Sequence, residues 1–337
     1  MNDLVVARYN EPIEWILLVP QDFRIHIYNK GAPIDSAAVR ARAARIIDRP
    51  NAGHESESYL THMIEHGPGS GPFTVFCQGD PFEHSPDFID LLEAAADWHD
   101  IQPLSWCWKQ EANVPPPALR SAGHGNLANG LRVRPELFSL ATWNPVEFID
   151  IGAARTGHAY RTLHGVPEGT NLAGHFFAMC RLAALAKRAQ NHLVGCFSYG
   201  AIFAVRNLLI AELPLEALQR MRHAALGPAC HGYVIERIWL HLFDEPFLLP
   251  SPAAMQSAAG IDCIAASAGR SGKGMPHQRH DIDAGGGDAA GRGSQPAARQ
   301  HEGEQQKNAS DHGGVRGQHA AATQAVRAAP GLDLARL

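Results

Sequence analysis

The chain has 337 residues and a formal net charge of −5, with no basic block or stripe, which excludes nucleic-acid binding driven by charge. No apolar run approaches the length of a membrane span, and the amino terminus lacks a charged-then-apolar signal, so a cytoplasmic location is expected. The six cysteines are scattered without a Cys-x-x-Cys pair, which speaks for reduced, packed thiols and against a cysteine-built zinc site.

Composition divides the chain in two. Every Phe, Trp and Tyr lies at or before Phe247, whereas residues 251–337 are filled with Gly, Ala, Gln, Ser, His and mixed charge. Such a segment cannot bury enough apolar area to offset its ordering entropy. The expected organisation is an α/β domain over residues 1–250 and a low-complexity disordered tail, or the product of a shifted reading frame, over residues 251–337. The tail histidines His277, His280, His301, His312 and His319 are too widely spaced for more than loose metal contact.

Leu4-Val5-Val6-Ala7 reads as a first buried strand, with Tyr9, Asn10 and Glu11 at its carboxyl end. Glu14-Trp15-Ile16-Leu17-Leu18 is a short helix returning along the sheet, and residues 23–28 alternate as a second strand closed by Asn29-Lys30-Gly31. After a loop at 48–53, the spacing from His54 to His66 turns helical, with Tyr59, Leu60, Met63 and Ile64 on one face and Ser56 as cap. Glu55 and Glu57 suit the dipole at that helix start, and residues 51–56, Asn51 included, read most simply as an ordinary capped helix start and alternatively as an anion seat.

Phe73-Thr74-Val75-Phe76-Cys77 is the expected central strand. It stops at Gly79 and Pro81, and Asp80, Glu83 and His84 follow, gathering cation-ligand types where open α/β sheets hold their ligands. Asp87 caps a helix from Phe88 onward, although Asp80 and Asp87 equally suit turn and cap positions. Residues 100–170 carry no clear element. Further on, residues 175–190 read as one helix, 195–205 as one strand with Gly200 as a close-approach point, and 215–226 as a helix. Residues 233–243 form an amphipathic helix with Ile235, Ile238, Trp239 and Leu242 as its core stripe, leaving Glu236 and Arg237 off it, most simply as a solvated pair.

Strands alternating with helices predict an α/β fold with a mainly parallel sheet covered by helices on both faces. Dinucleotide-fingerprint, P-loop, Gly-x-Ser-x-Gly and His-Glu-x-x-His motifs do not occur, which leaves Rossmann dehydrogenase, P-loop, serine-hydrolase and zincin readings without support.

Six phrases in order carry a resemblance: Val5-Val6-Ala7-Arg8-Tyr9-Asn10-Glu11, Ile27-Tyr28-Asn29-Lys30-Gly31, Asn51-Ala52-Gly53-His54-Glu55-Ser56, Phe76-Cys77-Gln78-Gly79-Asp80-Pro81-Phe82-Glu83-His84, Tyr199-Gly200-Ala201-Ile202-Phe203-Ala204-Val205 and Tyr233-Val234-Ile235-Glu236-Arg237-Ile238-Trp239. Over roughly residues 4–243 they resemble domain of unknown function family 3431, which occurs in fungi and bacteria and brings no activity with it. A second resemblance, at the level of fold, is to glycosyltransferases of the A-type nucleotide-diphospho-sugar fold. It implies a nucleotide-sugar donor held near Tyr9, Asn10, Glu11, Asn51 and Gly200, Mg²⁺ or Mn²⁺ on Asp80 with Glu83 and His84, and Glu236 as catalytic base. Asp80 stands alone where those enzymes usually carry Asp-x-Asp. The implied partner is a small-molecule or glycan substrate. Two alternatives use the same stretch: a hydrolase activating water on a metal held by Asp80, Glu83, His84 and His54, and a non-catalytic sugar- or nucleotide-binding pocket walled by Trp106, Trp108 and Trp143.

Overall fold

Leu4, Val5 and Val6 are all fully buried, yet they belong to two different cores. Val5 packs with Tyr59, Phe76 and Trp239 on one face of a sheet, while Leu4 and Val6 pack with Ile16, Ile25 and Phe88 on the other. A strand buried on both faces must be apolar without alternation, which is why this stretch reads as a continuous run. The computed structural model describes residues 1–106, 131, 133–146 and 150–249. Residues 251–337, including the expected tail, lie outside the described residues, as does Trp108.

The elements follow in chain order. Strand β1 (Asn2–Arg8) leads through a 3₁₀ turn at Glu14–Leu18 to β2 (Phe23–Asn29), helix α1 (Ala37–Arg42), β3 (Arg45–Asp48), α2 (His54–His66), β4 (Phe73–Gln78), α3 (Phe88–Glu93) and β5 (Ile101–Pro103). Then come β6 (Glu136–Ser139), α4 (Ile151–His164), α5 (Leu172–Met179), α6 (Ala183–Gln190), β7 (Val194–Phe197), β8 (Phe203–Arg206), α7 (Asn207–Ala211), α8 (Leu215–Ala225) and α9 (Ala229–Leu242). Six strands form one sheet in the order β3-β2-β1-β4-β8-β5, and β6 pairs with β7 in a separate antiparallel ribbon. Strands β1 to β4 are mutually parallel, and β8 runs against both β4 and β5. The expected α/β class with a mostly parallel sheet and helices on both faces is what the chain adopts. Among the described residues, no helix is long and apolar enough to cross a membrane.

Several local expectations are corrected. The stretch 195–205 is two strands in two sheets, because Gly200 at φ 66° and Ala201 at φ 54° turn the chain between them. Residues 175–190 are likewise two helices, parted where Arg181 takes φ 62°. Helix α9 begins at Ala229, so Glu236 sits mid-helix and not near its amino end. Ser56 does not cap α2. Gly53, in the left-handed region, holds that position, and the Ser56 hydroxyl donates to the Glu55 carboxylate at 2.9 Å. Asp87 occupies the N-cap of α3 without a capping bond from its side chain. Arg237 is not a solvated partner of Glu236. It is buried, donates to Asp150 at 2.7 Å and lays its guanidinium 4.3 Å from the Phe197 ring centroid. The featureless stretch 100–170 supplies β5, β6 and α4, whose cap Asp150 accepts the Ala153 N–H at 3.0 Å.

Candidate functional site

Four parallel strands place their carboxyl ends along one edge of the sheet. From β1 the chain steps outward to β2 and β3, then returns to set β4 on the other flank of β1. The order therefore reverses between β1 and β4, and in open α/β sheets a crevice for ligands forms at such a point. Tyr9, Asn10 and Glu11 follow β1, and Gly79 and Asp80 follow β4. The Glu11 carboxylate accepts the Tyr9 N–H at 2.7 Å and presses on Gly79 so closely that a Cβ there would lie 2.4 Å from Oε2. Asn10 accepts the Ala32 N–H at 2.9 Å, and Trp15 clamps the same edge by donating to the Gly79 carbonyl at 2.8 Å. Tyr9 and Asn10 are exposed beside this crevice, whereas Asn51, also exposed, follows β3, two strands away from β1.

The register of β8 brings a second group of residues to the same edge. Phe203 pairs with Phe76 and Arg206 with Phe73, so β8 starts at the carboxyl end of β4, and Gly200 lies just beyond that end. A Cβ on Gly200 would meet the His84 ring at 2.5 Å, and His84 in turn stands edge-on to Tyr199 at 4.6 Å between centroids. The Gly200 N–H donates to Glu236. The structure thus joins His84, Gly200 and Glu236 in one chain of contacts, from three elements far apart in sequence.

Glu236 is half-buried, and its carboxyl is pushed up to about 7, first by burial and then by the neighbouring Glu55, with Arg237 opposing. Glu55, on the first turn of α2, is also raised, by burial, while its own backbone N–H, Ser56 and Lys30 favour its charge. The helix amino terminus favours that charge as well. Charge on Glu55 is therefore favoured over charge on Glu236, whose carboxyl exchanges its proton near neutrality. Sequence reasoning treated Glu55 only as a dipole partner, and nothing local in the chain ties it to α9. Tyr59 and Tyr233 border the pair: burial raises both phenols, and the two carboxylates add to the rise.

The expected anion seat at residues 51–56 is filled from within. Besides Glu55, the first turn of α2 carries Glu57, whose carboxylate is paired with Lys30 at 3.1 Å and with Arg49. Lys30 also donates to the carbonyls of Ala52 at 2.7 Å and His54 at 2.5 Å, pinning the loop that starts the helix. His54 packs on Tyr233 and Gly232, apart from the metal role given to it in the hydrolase reading.

Asp80, Glu83 and His84 do not fit a preformed cation seat. Asp80 is exposed and its Oδ1 accepts the Phe82 N–H at 3.1 Å, the self-bonded turn that aspartate forms without any ligand. Among the described residues, ligand atoms lie within 4.8 Å of one another in the group Asp3, His26 and His62, which sequence reasoning passed over. The aromatic-walled pocket is corrected too, since Trp106 and Trp143 are fully buried core residues with no face left for a sugar. A cleft of about 640 Å³ is lined by Trp98, Asp100, Phe243 and Glu245, and another of about 620 Å³ by Cys180, Glu216, His223 and His231. Neither is lined by Glu55, Glu236 or Asp80. No family model matches the chain, and no curated protein matches it.

Proposed function

We propose that the chain is a glycosyltransferase-like enzyme that takes a nucleotide-sugar donor at the β1–β4 crevice and uses Glu236 as its base. The observation that carries this reading is the half-buried Glu55–Glu236 pair at the carboxyl edge of the sheet. A carboxyl poised near neutrality can take and return a proton at working pH, whereas an ordinary surface glutamate stays ionised and is a weak base. In the reaction proposed, the acceptor hydroxyl gives its proton to Glu236 as its oxygen bonds to the anomeric carbon. The bond from that carbon to the diphosphate breaks, and the nucleoside diphosphate leaves with the electron pair. Glu55 stabilises the protonated form of Glu236 and so favours the transfer. Tyr9, Asn10, Glu11 and Gly200 border the donor, and no step is assigned to Asp80, Glu83 or His84. The strand order, with its reversal beside Asn10–Glu11 and Asp80, supports a ligand at this edge and agrees with the resemblance to A-type glycosyltransferases. Membership of domain of unknown function family 3431 is proposed on the six motifs alone.

The test is a thermal-shift panel of nucleotide sugars, with and without Mn²⁺, on the parent and on Glu236→Gln, followed by transfer assays with the donors that bind. A ligand at a hundredfold excess over its dissociation constant raises stability by about 2.7 kcal/mol, enough to see. The expected result is a donor that stabilises both proteins but is turned over by the parent alone. Stabilisation without turnover in the parent supports a binding domain, and no stabilisation by any donor ends the proposal.

A further inference from the structure

The amino-terminal half of the sheet carries a second cluster that the proposed reaction does not use. Asp3 on β1, His26 on β2 and His62 on α2 are each almost wholly buried, at 1%, 4% and 1% exposure. Their ligand-type atoms all lie within 4.8 Å of one another. Asp3 Oδ1 and His26 Nε2 are 3.2 Å apart. That is close to the roughly 3.3 Å between two ligands of a tetrahedral ion bound at about 2.0–2.1 Å. We propose that these three side chains form a binding site for a divalent transition ion of the zinc type.

Two further observations point to a ligand. His62 Nε2 is buried without a hydrogen-bond partner, an expensive state for a ring nitrogen in an apolar layer. The supporting groups of a metal site are also in place. The Tyr28 hydroxyl holds His62 Nδ1 at 3.2 Å, which fixes the ring and leaves Nε2 to face an ion. Arg24 grips the Asp3 carboxylate at 2.7 and 2.9 Å, as second-layer cations do for ligating carboxylates. His66 stands one turn beyond His62 on α2, its ring 5.2 Å from that of His62 and 6.1 Å from that of His26. It is half-buried and already takes the Arg45 guanidinium at 2.8 Å on Nδ1, so a water completes the coordination more simply than His66 does. One carboxylate with imidazoles suits Zn²⁺, Co²⁺ or Ni²⁺, not Mg²⁺ or Ca²⁺, which demand oxygen-rich shells.

The experiment uses the full chain without a histidine tag, titrated with Co²⁺ by visible absorption and with Zn²⁺ by calorimetry. A second full-length protein has His277, His280, His301, His312 and His319 replaced by Asn, which removes competition from those residues. The expected result is one tight equivalent in both proteins, with the intense visible bands of four-coordinate Co²⁺, undisturbed by millimolar Mg²⁺. His62→Asn and His26→Asn should weaken that equivalent by more than the roughly 10–100-fold that loss of a supporting residue costs. The proposal is overturned if the parent takes up no tight equivalent, if the equivalent disappears with the five replaced histidines, or if it survives both single substitutions. Should the single variants fail to fold, the protein lacking the five histidines decides it: a tight equivalent that raises its melting midpoint upholds the site, and none overturns it.

Discussion

Glu236 differs from an ordinary helix glutamate only through what surrounds it, and the difference is measurable as pH dependence. Its folded pKa lies above the unfolded value, so the folded state binds more protons between about pH 4.5 and 7. Stability from this group is complete below the unfolded pKa and is lost as pH rises through the folded one. Glu236→Gln should remove that loss and leave the variant more stable than the parent at pH 8, with each unit of raised pKa worth about 1.4 kcal/mol. Urea midpoints at pH 5 and pH 8 check it, and equal pH slopes in parent and variant would sink the assignment. Gly200 gives a second outcome at this scale. It takes φ 66°, and a Cβ would strike the His84 ring. Gly200→Ala should cost about 1–2 kcal/mol from the left-handed backbone alone, which for a domain of this size lowers the melting midpoint by roughly 2–8 °C. The same substitution displaces the N–H that favours the ionised form of Glu236, so the pH at which activity rises should move upward.

At the scale of elements, α2 is held at its start by charge, not by a capping side chain. Lys30 and Glu57 are nearly inaccessible, at 5% and 2% side-chain exposure, and Lys30 ties the preceding loop to the helix. Lys30→Ala takes one of two cations from Glu57 and leaves Arg49 on it, so the cost is about 1.5–3 kcal/mol, that of a charge-assisted bond, and not that of a wholly unpaired buried charge. Lys30→Ala should therefore lower the melting midpoint by roughly 3–12 °C, and Glu55 should lose its position along with the helix start. A drop of only a degree or two would mean that the loop does not depend on Lys30. The sequence disclosed α2, β1, β4 and the stripe of α9 because each is long or strongly patterned. Short strands such as β5 and β7, each paired with a single strand, carry too few residues for a period to register. The break at Gly200 was legible only as a close approach, since nothing local distinguishes a strand with a glycine from two strands that part there. Glu55 with Glu236, and His26 with His62, meet through the tertiary fold, and no spacing in the chain encodes such a meeting. His62 and His66, four apart on one helix, were the sole readable trace of the second cluster.

At the scale of the whole molecule, the two clusters sit toward opposite ends of the parallel strands. Asp3 and Arg8 are five residues apart on β1, about 16 Å at 3.3 Å per residue, and Tyr9 follows directly. Helix α2 spans the same distance in the other direction, with Glu55 on its first turn and His62 and His66 on its last two. An ion held by Asp3, His26 and His62 would brace β1, β2 and α2 together. It would make no contact with the Glu55–Glu236 pair, and its field there would be weakened by distance and screened by salt. Two ligands that share a rigid scaffold but no contacts bind with little coupling free energy. Zn²⁺ and a stabilising nucleotide sugar should therefore raise the unfolding free energy by amounts that add to within about 0.5 kcal/mol, the usual limit for independent sites. The measurement is a set of four denaturant titrations: no ligand, each ligand alone, and both together. A joint effect well short of the sum would place both ligands at one site and would merge the two proposals. A joint effect well above the sum would mean that ordering the metal end of α2 also prepares its amino end, where Glu55 meets Glu236.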